Sequence, residues 1–475
     1  MIDLKDSIYY DSSSEVGNGA SECVVQQVFE AINNSPCLTE NLMEKIASIA
    51  NLKRAFRAVK RNKGSAGIDN VSIDDIKNDI DNILAQLKEE LLSTNYLPVA
   101  IKAVKIPKSD GKSFRQLGIP TVIDRIVSQA IAQILSPLFE INFSESSYGF
   151  RPNRNAKQAI EVASQYVTEG NNWVVDIDLE NFFDNVNHDI LMAKIARKVR
   201  DKRVLKIIRR FLNAEIMQNG VCKERDEGTP QGSPLSPLLS NIMLDELDKE
   251  LEKRGHKFCR YADDCNIYIA SKMAGKRVLK SLDNFISKRL KLKVNKTKSA
   301  VDKVKHRKFL GFRLQNNGDI TIAPQSLKNI RKKIRMITKR NRGISLTQVI
   351  FELNRVLRGW FHYFKIAKSS NITKMLDGWI RRRLRCFRIK QLKRKYTLKV
   401  FLAGRGISQR NSWNLARSKK GLWRKSFNPI VHKALGIQYF RWLRLFSLHE
   451  NYQLFISSKP PCATAHAGWC ERVES

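Results

Sequence analysis

Short runs of β-branched, aromatic and aliphatic residues break abruptly into charge at several points, a pattern that predicts strands ending at polar turns. Phe258-Cys259-Arg260 and Cys265-Asn266-Ile267-Tyr268-Ile269 flank Tyr261-Ala262-Asp263-Asp264, which predicts a hairpin with Ala262-Asp263-Asp264 at its tip. Trp173-Val174-Val175 leads into Asp176-Ile177-Asp178, where a period of two puts Asp176 and Asp178 on one strand face. Residues 96–107 alternate and end in proline, residues 108–112 make a turn, and residues 114–120 return. Helical periodicity predicts helices near 42–59, 121–135 and 187–217, and another from the Asp263-Asp264 hairpin to about residue 290. Leu353, Leu357, Trp360 and Phe364 recur as a core stripe, with Arg358 and Phe361 placed on the surface. Residues 227–241 pack prolines and glycines into a rigid loop that opens a helix, and Phe309-Leu310-Gly311-Phe312 reads as a short apolar strand. The turn-rich stretch 144–152 would either pack or lie along a nucleic-acid strand.

Charge changes this picture. Lys and Arg total 85 against 46 Asp and Glu, leaving +39 over 475 residues, more than solubility needs and suited to a polyanionic partner. Residues 381–395 hold nine basic residues and no acidic one, interleaved with Leu384, Phe387, Ile389 and Leu392, as an amphipathic helix tracking phosphates would. No run of about 18 apolar residues is evident, so nucleic acid is expected in preference to a membrane. Residues 1–50 reverse the balance with eight acidic and two basic residues and show no signal-peptide pattern, so a cytoplasmic protein is expected. The cysteines lack Cys-x-x-Cys spacing, which argues for reduced thiols rather than a structural zinc.

Two carboxylates about 4 Å apart repel by roughly 4 kcal/mol at an effective dielectric near 20, so Asp263 and Asp264 need a cation unless they form a solvated turn. Magnesium suits oxygen donors and leaves room for phosphates. Asp178, at the end of a buried strand, raises the same demand. Lys108 and Arg115 flank one turn and could reach one polyphosphate. Gly232 would let a base or sugar lie against bare backbone.

Taken in order, these stretches over about 50–425 resemble the reverse transcriptases of bacterial group II introns. Tyr261-Ala262-Asp263-Asp264 looks like the palm motif, and Gly228-Thr229-Pro230-Gln231-Gly232-Ser233-Pro234 is similar to the loop beneath the incoming nucleotide. Asn295 and Lys298 match the motif after the hairpin, and Gly359-Trp360-Phe361-His362-Tyr363-Phe364 resembles the thumb signature. The resemblance implies an α+β right-hand polymerase with an antiparallel palm sheet. Its expected parts are an acidic arm with the start of the first helix at 1–50, fingers and palm at 51–315, an α-helical thumb or maturase domain at 316–402 and a basic nucleic-acid-binding extension at 403–475.

It also implies an RNA-directed DNA polymerase that binds intron RNA to promote splicing and retromobility. A maturase with an idle polymerase, or a reverse transcriptase repurposed for phage defence, remains open. The implied catalytic and metal residues are Asp178, Asp263 and Asp264, holding two Mg²⁺ ions, with Mn²⁺ as a possible substitute. Lys108, Arg115, Phe183, Gln231, Gly232 and Lys298 would bind the nucleotide. Phe183 stands at the steric-gate position with Phe182 as its rival, and Asp176 would be spare. Arg358, Arg381, Arg382, Arg385, Lys393 and Arg394 would contact nucleic acid. The partners are intron RNA, an RNA template with a DNA primer, target DNA and deoxynucleoside triphosphates. Where the family often has Arg-Pro, this chain has Arg115-Gln116, and no His-Asn-His constellation is seen, so target cleavage by these residues is not expected. His432, His449, His466, Cys462 and Cys470 are too scattered to be read as metal ligands.

Overall fold

The protein is described here by a computed structural model covering residues 41–107, 114–218 and 221–458. It divides into two compact units, Met1–Ala159 with Asn171–Asp302, and Ile160–Gly170 with Lys303–Ser475. The acidic residues 1–40, Lys108, Cys462, His466 and Cys470 lie outside the described residues.

In the first unit, β1 (Ile101–Pro107) pairs antiparallel with β2 (Phe114–Ile119), with Lys102 opposite Ile119 and Pro107 opposite Phe114. The predicted strand from 96 is therefore shorter, because residues 96–100 include Pro98 and are spent on anchoring. Buried Asp124 accepts hydrogen bonds from Tyr96 Oη at 2.6 Å and Thr121 Oγ1 at 2.6 Å, and burial raises its pKa. Arg210 donates to the carbonyls of Thr94 and Tyr96. β4 (Ile216–Gln218) and β5 (Val221–Lys223) complete the sheet in the order β2-β1-β4-β5.

The second sheet has the order β6-β7-β3-β8, from β3 (Trp173–Ile177), β6 (Lys257–Tyr261), β7 (Asp264–Ile269) and β8 (Ala300–Lys303). One face carries Val175, Ile177, Cys265, Ile267 and Phe258 into the core. Against that core pack helices including Ile49–Arg61, Val122–Glu140 and Ser236–Lys253. The predicted helix over 42–59 is two helices, because Ser48 leaves helical geometry and accepts a bond from Asn51 N, capping the second. Val122–Glu140 has a mean hydropathy of 1.2 and is long enough to cross a bilayer, contrary to the expectation of no such run, yet most of it is buried within the unit.

In the second unit, helices Pro324–Ile337, Leu346–Phe364 and Ser370–Gln391 share one core with the C-terminal helices as far as Leu448–Ser457. That core runs across the expected boundary at 402/403. Asp377 fixes the last helix by accepting from Ser447 Oγ and from the amides of Leu448 and His449. The stripe Leu353, Leu357 and Phe364 is buried as predicted and Arg358 is exposed. Phe361 is not on the surface but 7% exposed, because the stripe is wide enough to include it, while Trp360 is only partly buried. Phe309-Leu310-Gly311-Phe312 is not a strand: Leu310 (φ 50°) and Gly311 (φ 79°) make a turn that feeds β9 (Phe312–Leu314), paired with β10 (Ile320–Ile322). Tyr363 Oη donates to Leu310 O at 2.9 Å, and Phe312 stacks on the rings of Tyr363 and Phe364, so two distant sequence motifs form one joint.

Candidate functional site

The hairpin forms with a two-residue tip, Ala262-Asp263, since Tyr261 already pairs with Asp264. Ala262 adopts φ 57°, a left-handed value that costs a non-glycine residue energy and must be held by its surroundings. β3 pairs antiparallel with β7 up to Ile177 opposite Cys265. One further step of that register sets Asp178 across from Asp264, beside the turn that bears Asp263. Opposed residues share a sheet face, so Asp176, Asp178, Asp264 and Asn266 all lie opposite the apolar core face.

Asp178 is fixed from the far side by the stretch that follows the helix Lys272–Phe285. Asn295 N donates to Asp178 O at 2.8 Å, Asp178 N donates to Ser299 Oγ at 3.0 Å, and Lys298 Nζ reaches the two carboxylate oxygens at 3.2 and 3.4 Å. The Lys298 ammonium thus stands at the carboxylate where oxygen donors call for positive charge. Among the described residues no three acidic, His or Cys side chains converge as a ready-made ion cage. The donor set nevertheless fits a hard cation: Asp178, Asp263 and Asp264 are all carboxylates at the edge of one sheet face, and none is committed to the core.

The loop at 227–241 is tied to this edge. Thr229 N donates to Phe183 O at 2.6 Å and Gly228 N to Val186 O at 2.7 Å. Gly228 (φ 90°) lies so close that a Cβ would sit 2.7 Å from Asp184 O. His188, 2% exposed, donates from Nε2 to Gly228 O at 2.7 Å, and burial lowers its pKa. Gly118 N of β2 donates to Gln231 O at 2.9 Å, and a Cβ on Gly232 (φ 129°) would fall 2.3 Å from Gly118 O. Arg115, described only through its backbone, sits three residues before Gly118 on that strand. Phe182 is 2% exposed in the core, whereas Phe183 is half-buried at its edge.

Sequence reasoning missed the support beneath the hairpin. Arg260 is 0% exposed, and its guanidinium is paired with Asp248 through Nε to Oδ1 at 2.7 Å and Nη2 to Oδ2 at 2.5 Å. It also donates to Asn241 Oδ1, Ser147 Oγ and, at 3.0 Å, Ala262 O. Of the two roles open to the stretch 144–150, the structure shows packing along β6: Tyr148 N donates to Arg260 O, and Arg260 N to Ser146 O. Gly149 is required there, since a Cβ would come 2.2 Å from Ala262 N. The signal was present, because alternation puts Arg260 on the same face as Phe258.

The predicted nucleic-acid residues do not form one set. Arg358 is exposed, stacked over Phe446 at 5.1 Å. Arg381 and Arg382 are half-buried on Ser370–Gln391, and Lys393 and Arg394 follow that helix, which ends before them. Arg385 is 6% exposed and donates to Leu435 O and His432 Nε2; burial, aided by Arg381, pulls its pKa down to about 10. His432 therefore accepts in its neutral form, and burial lowers its pKa as well. His449 lies beside Thr373.

A sheet edge bearing carboxylates, a glycine loop beneath it and a basic helical unit define the class: a right-hand nucleic-acid polymerase. The chain belongs to the reverse transcriptase family, residues 106–314 matching reverse transcriptase (RNA-dependent DNA polymerase) and residues 327–402 the group II intron maturase-specific domain. It is 31% identical to Protein YkfC of Escherichia coli (strain K12) over 316 residues, covering 58% of this chain and 83% of that protein. It is 34% identical to the group II intron-encoded protein LtrA of Lactococcus lactis subsp. cremoris over 209 residues, 43% of this chain and 34% of LtrA. A putative COX1/OXI3 intron 2 protein of Saccharomyces cerevisiae matches at 29% identity over 47% of this chain and 26% of its own length. The chain therefore spans about a third or less of the last two relatives. Enzymes of this family generally use divalent metal ions.

Proposed function

We propose that this chain copies RNA into DNA and binds the RNA of a group II intron to promote its splicing and retromobility. The observation that carries the polymerase reading is the β3–β7 register, which sets Asp178 across from Asp264 at the end of the sheet that holds Asp263. Asp178, Asp263 and Asp264 would hold two Mg²⁺ ions, which when bound lower the pKa of the primer 3′-hydroxyl and offset charge on the transferring phosphate. Asn295 and Ser299 hold the backbone of Asp178 in place. Lys298 pairs with its carboxylate and would turn to the triphosphate when substrate binds. Arg115, with Lys108, would hold the β- and γ-phosphates, with Arg binding in bidentate fashion and Lys as a point charge. Gln231 and Gly232 would present a backbone surface to the sugar and base, and Phe183, half-buried at the edge of the core, would exclude a ribose 2′-hydroxyl. Further proposed partners are a primed RNA template, deoxynucleoside triphosphates and target DNA.

The test is primer extension on an RNA template beside an intron-splicing assay, using wild type and Asp263→Ala with Asp264→Ala. Extension by wild type alone supports the reading. No extension by wild type, with splicing retained in both proteins, would instead establish an RNA-binding maturase with an idle polymerase. The same reading puts the protein in the bacterial cytoplasm, at the nucleoid when bound to DNA, which cell fractionation checks.

A further inference from the structure

A groove of about 1010 Å³ in the second unit is lined by the helix Ser370–Gln391, by Arg405 and by the stretch from Phe427 to Trp442. It lies at the upper end of the roughly 300–1,000 Å³ range of small-ligand pockets, so it suits an extended guest better than one compact molecule. Its lining combines two features. The first is uncompensated positive charge: no Asp or Glu lines it, and among the described residues Arg381, Arg382 and Arg405 form no ion pair. The second is exposed aromatic surface, with Trp442 71% and Phe427 64% exposed.

The two features are interleaved. The Arg382 guanidinium lies 4.0 Å from the Trp423 ring centre and 4.9 Å from that of Phe427. Arg405 lies 4.6 Å from the Tyr439 centre and 5.9 Å from that of Trp442. A stacked guanidinium keeps its flat face on the ring and leaves edge N–H groups for phosphate; Arg382 gives one of them, on Nη2, to Trp423 O. Arg385, locked to Leu435 O and His432, makes the floor rigid.

We propose that this groove holds a short unpaired stretch of intron RNA, with bases stacked on Trp442 and Phe427 and phosphates on Arg381, Arg382 and Arg405. A duplex has its base faces already stacked and would leave the rings unused. A protein plug would bury several arginines without partners. Stacking on rings combined with a cationic track is how unpaired strands are held, and RNA is preferred because the groove is built on the maturase-matching helix. The inference rests on the proposed RNA binding and assigns it a place.

The test uses the full chain and a fluorescein-labelled oligouridylate, with oligothymidylate and a double-stranded RNA as comparators. Trp442→Ala with Arg405→Ala should weaken oligouridylate binding about ten- to a hundredfold, while Trp442→Phe should retain most of it. A 4-thiouridine probe should cross-link to peptides containing Phe427 or Trp442. Equal binding by the double variant, cross-links confined to other peptides, or a loss of oligothymidylate or duplex binding in the double variant as large as its loss of oligouridylate binding would each overturn the groove. If wild type binds no RNA at all, the broader RNA-binding reading falls with it, whereas tight RNA binding that ignores the groove variants removes only the groove.

Discussion

Arg260 shows how much of the site depends on one residue that never meets substrate. Its fork joins Asp248, Asn241, Ser147 and the Ala262 carbonyl, so the strained residue before the two aspartates is held by a buried charge. Lysine keeps the charge but not the fork. Arg260→Lys should therefore cut the primer-extension kcat about ten- to a hundredfold, with a smaller change in KM for deoxynucleotide, measured on folded protein. Phe183 and Phe182 make a second contrast. Phe183→Val should relax discrimination against ribonucleotides in competition assays, whereas Phe182→Ala should leave selectivity alone and cost about 3–5 kcal/mol in urea unfolding. The placement of the aspartates was legible, Asp263 and Asp264 at a hairpin from their apolar flanks and Asp178 from the strand that leads into it. Arg260 was overlooked although alternation puts it on the face of Phe258, since an arginine in a strand reads as solvent-facing until its partner on a helix, Asp248, is in view. Phe361 was not legible for a related reason: the apolar stripe that buries it is wider than Leu353, Leu357, Trp360 and Phe364 alone.

At the level of elements, the hairpins were readable from turn chemistry, and the two faces of β3 from its alternation. Less readable was which loops would touch. Gly149 and Gly228 serve close approaches between segments far apart in sequence, which no local pattern encodes. Gly149→Ala should push the 144–150 segment off the hairpin, destabilise the first unit by about 1–3 kcal/mol and slow primer extension, as urea unfolding and steady-state rates would register. The turn at Phe309–Phe312 looked like a strand because its residues are apolar; the left-handed Leu310 and Gly311 and the aromatic joint to Tyr363 and Phe364 explain why it is one. The boundary expected at 402/403 came from the resemblance and coincides with the end of the maturase-specific match, while the hydrophobic core of the second unit continues past it to Tyr452.

For the whole molecule, two bulk properties lead to measurements. The +39 charge predicts RNA binding that weakens steeply with salt, by about 10³ to 10⁵ between 50 and 200 mM if six to ten phosphates are contacted. Titration adds the other. His188 in the first unit and His432 in the second have pKa values lowered from 6.5, with burial the largest cause in each. The folded state disfavours their protonation and the unfolded state does not, so the unfolded chain binds more protons once the pH drops below the unfolded value. Stability should be flat above about pH 6.5 and decline below it towards the lowered folded values, as urea unfolding at about pH 7.5 and 5.5 would show.

The central claim is that Asp178, Asp263 and Asp264 form one nucleotidyl-transfer site. It is tested most directly by primer extension on an RNA template with Mg²⁺, comparing wild type with Asp178→Asn, Asp263→Asn and Asp264→Asn. The expected result is metal-dependent extension by wild type and a loss of about a hundredfold or more in each variant, with the fold intact. Extension by any of the three at the wild-type rate would contradict it.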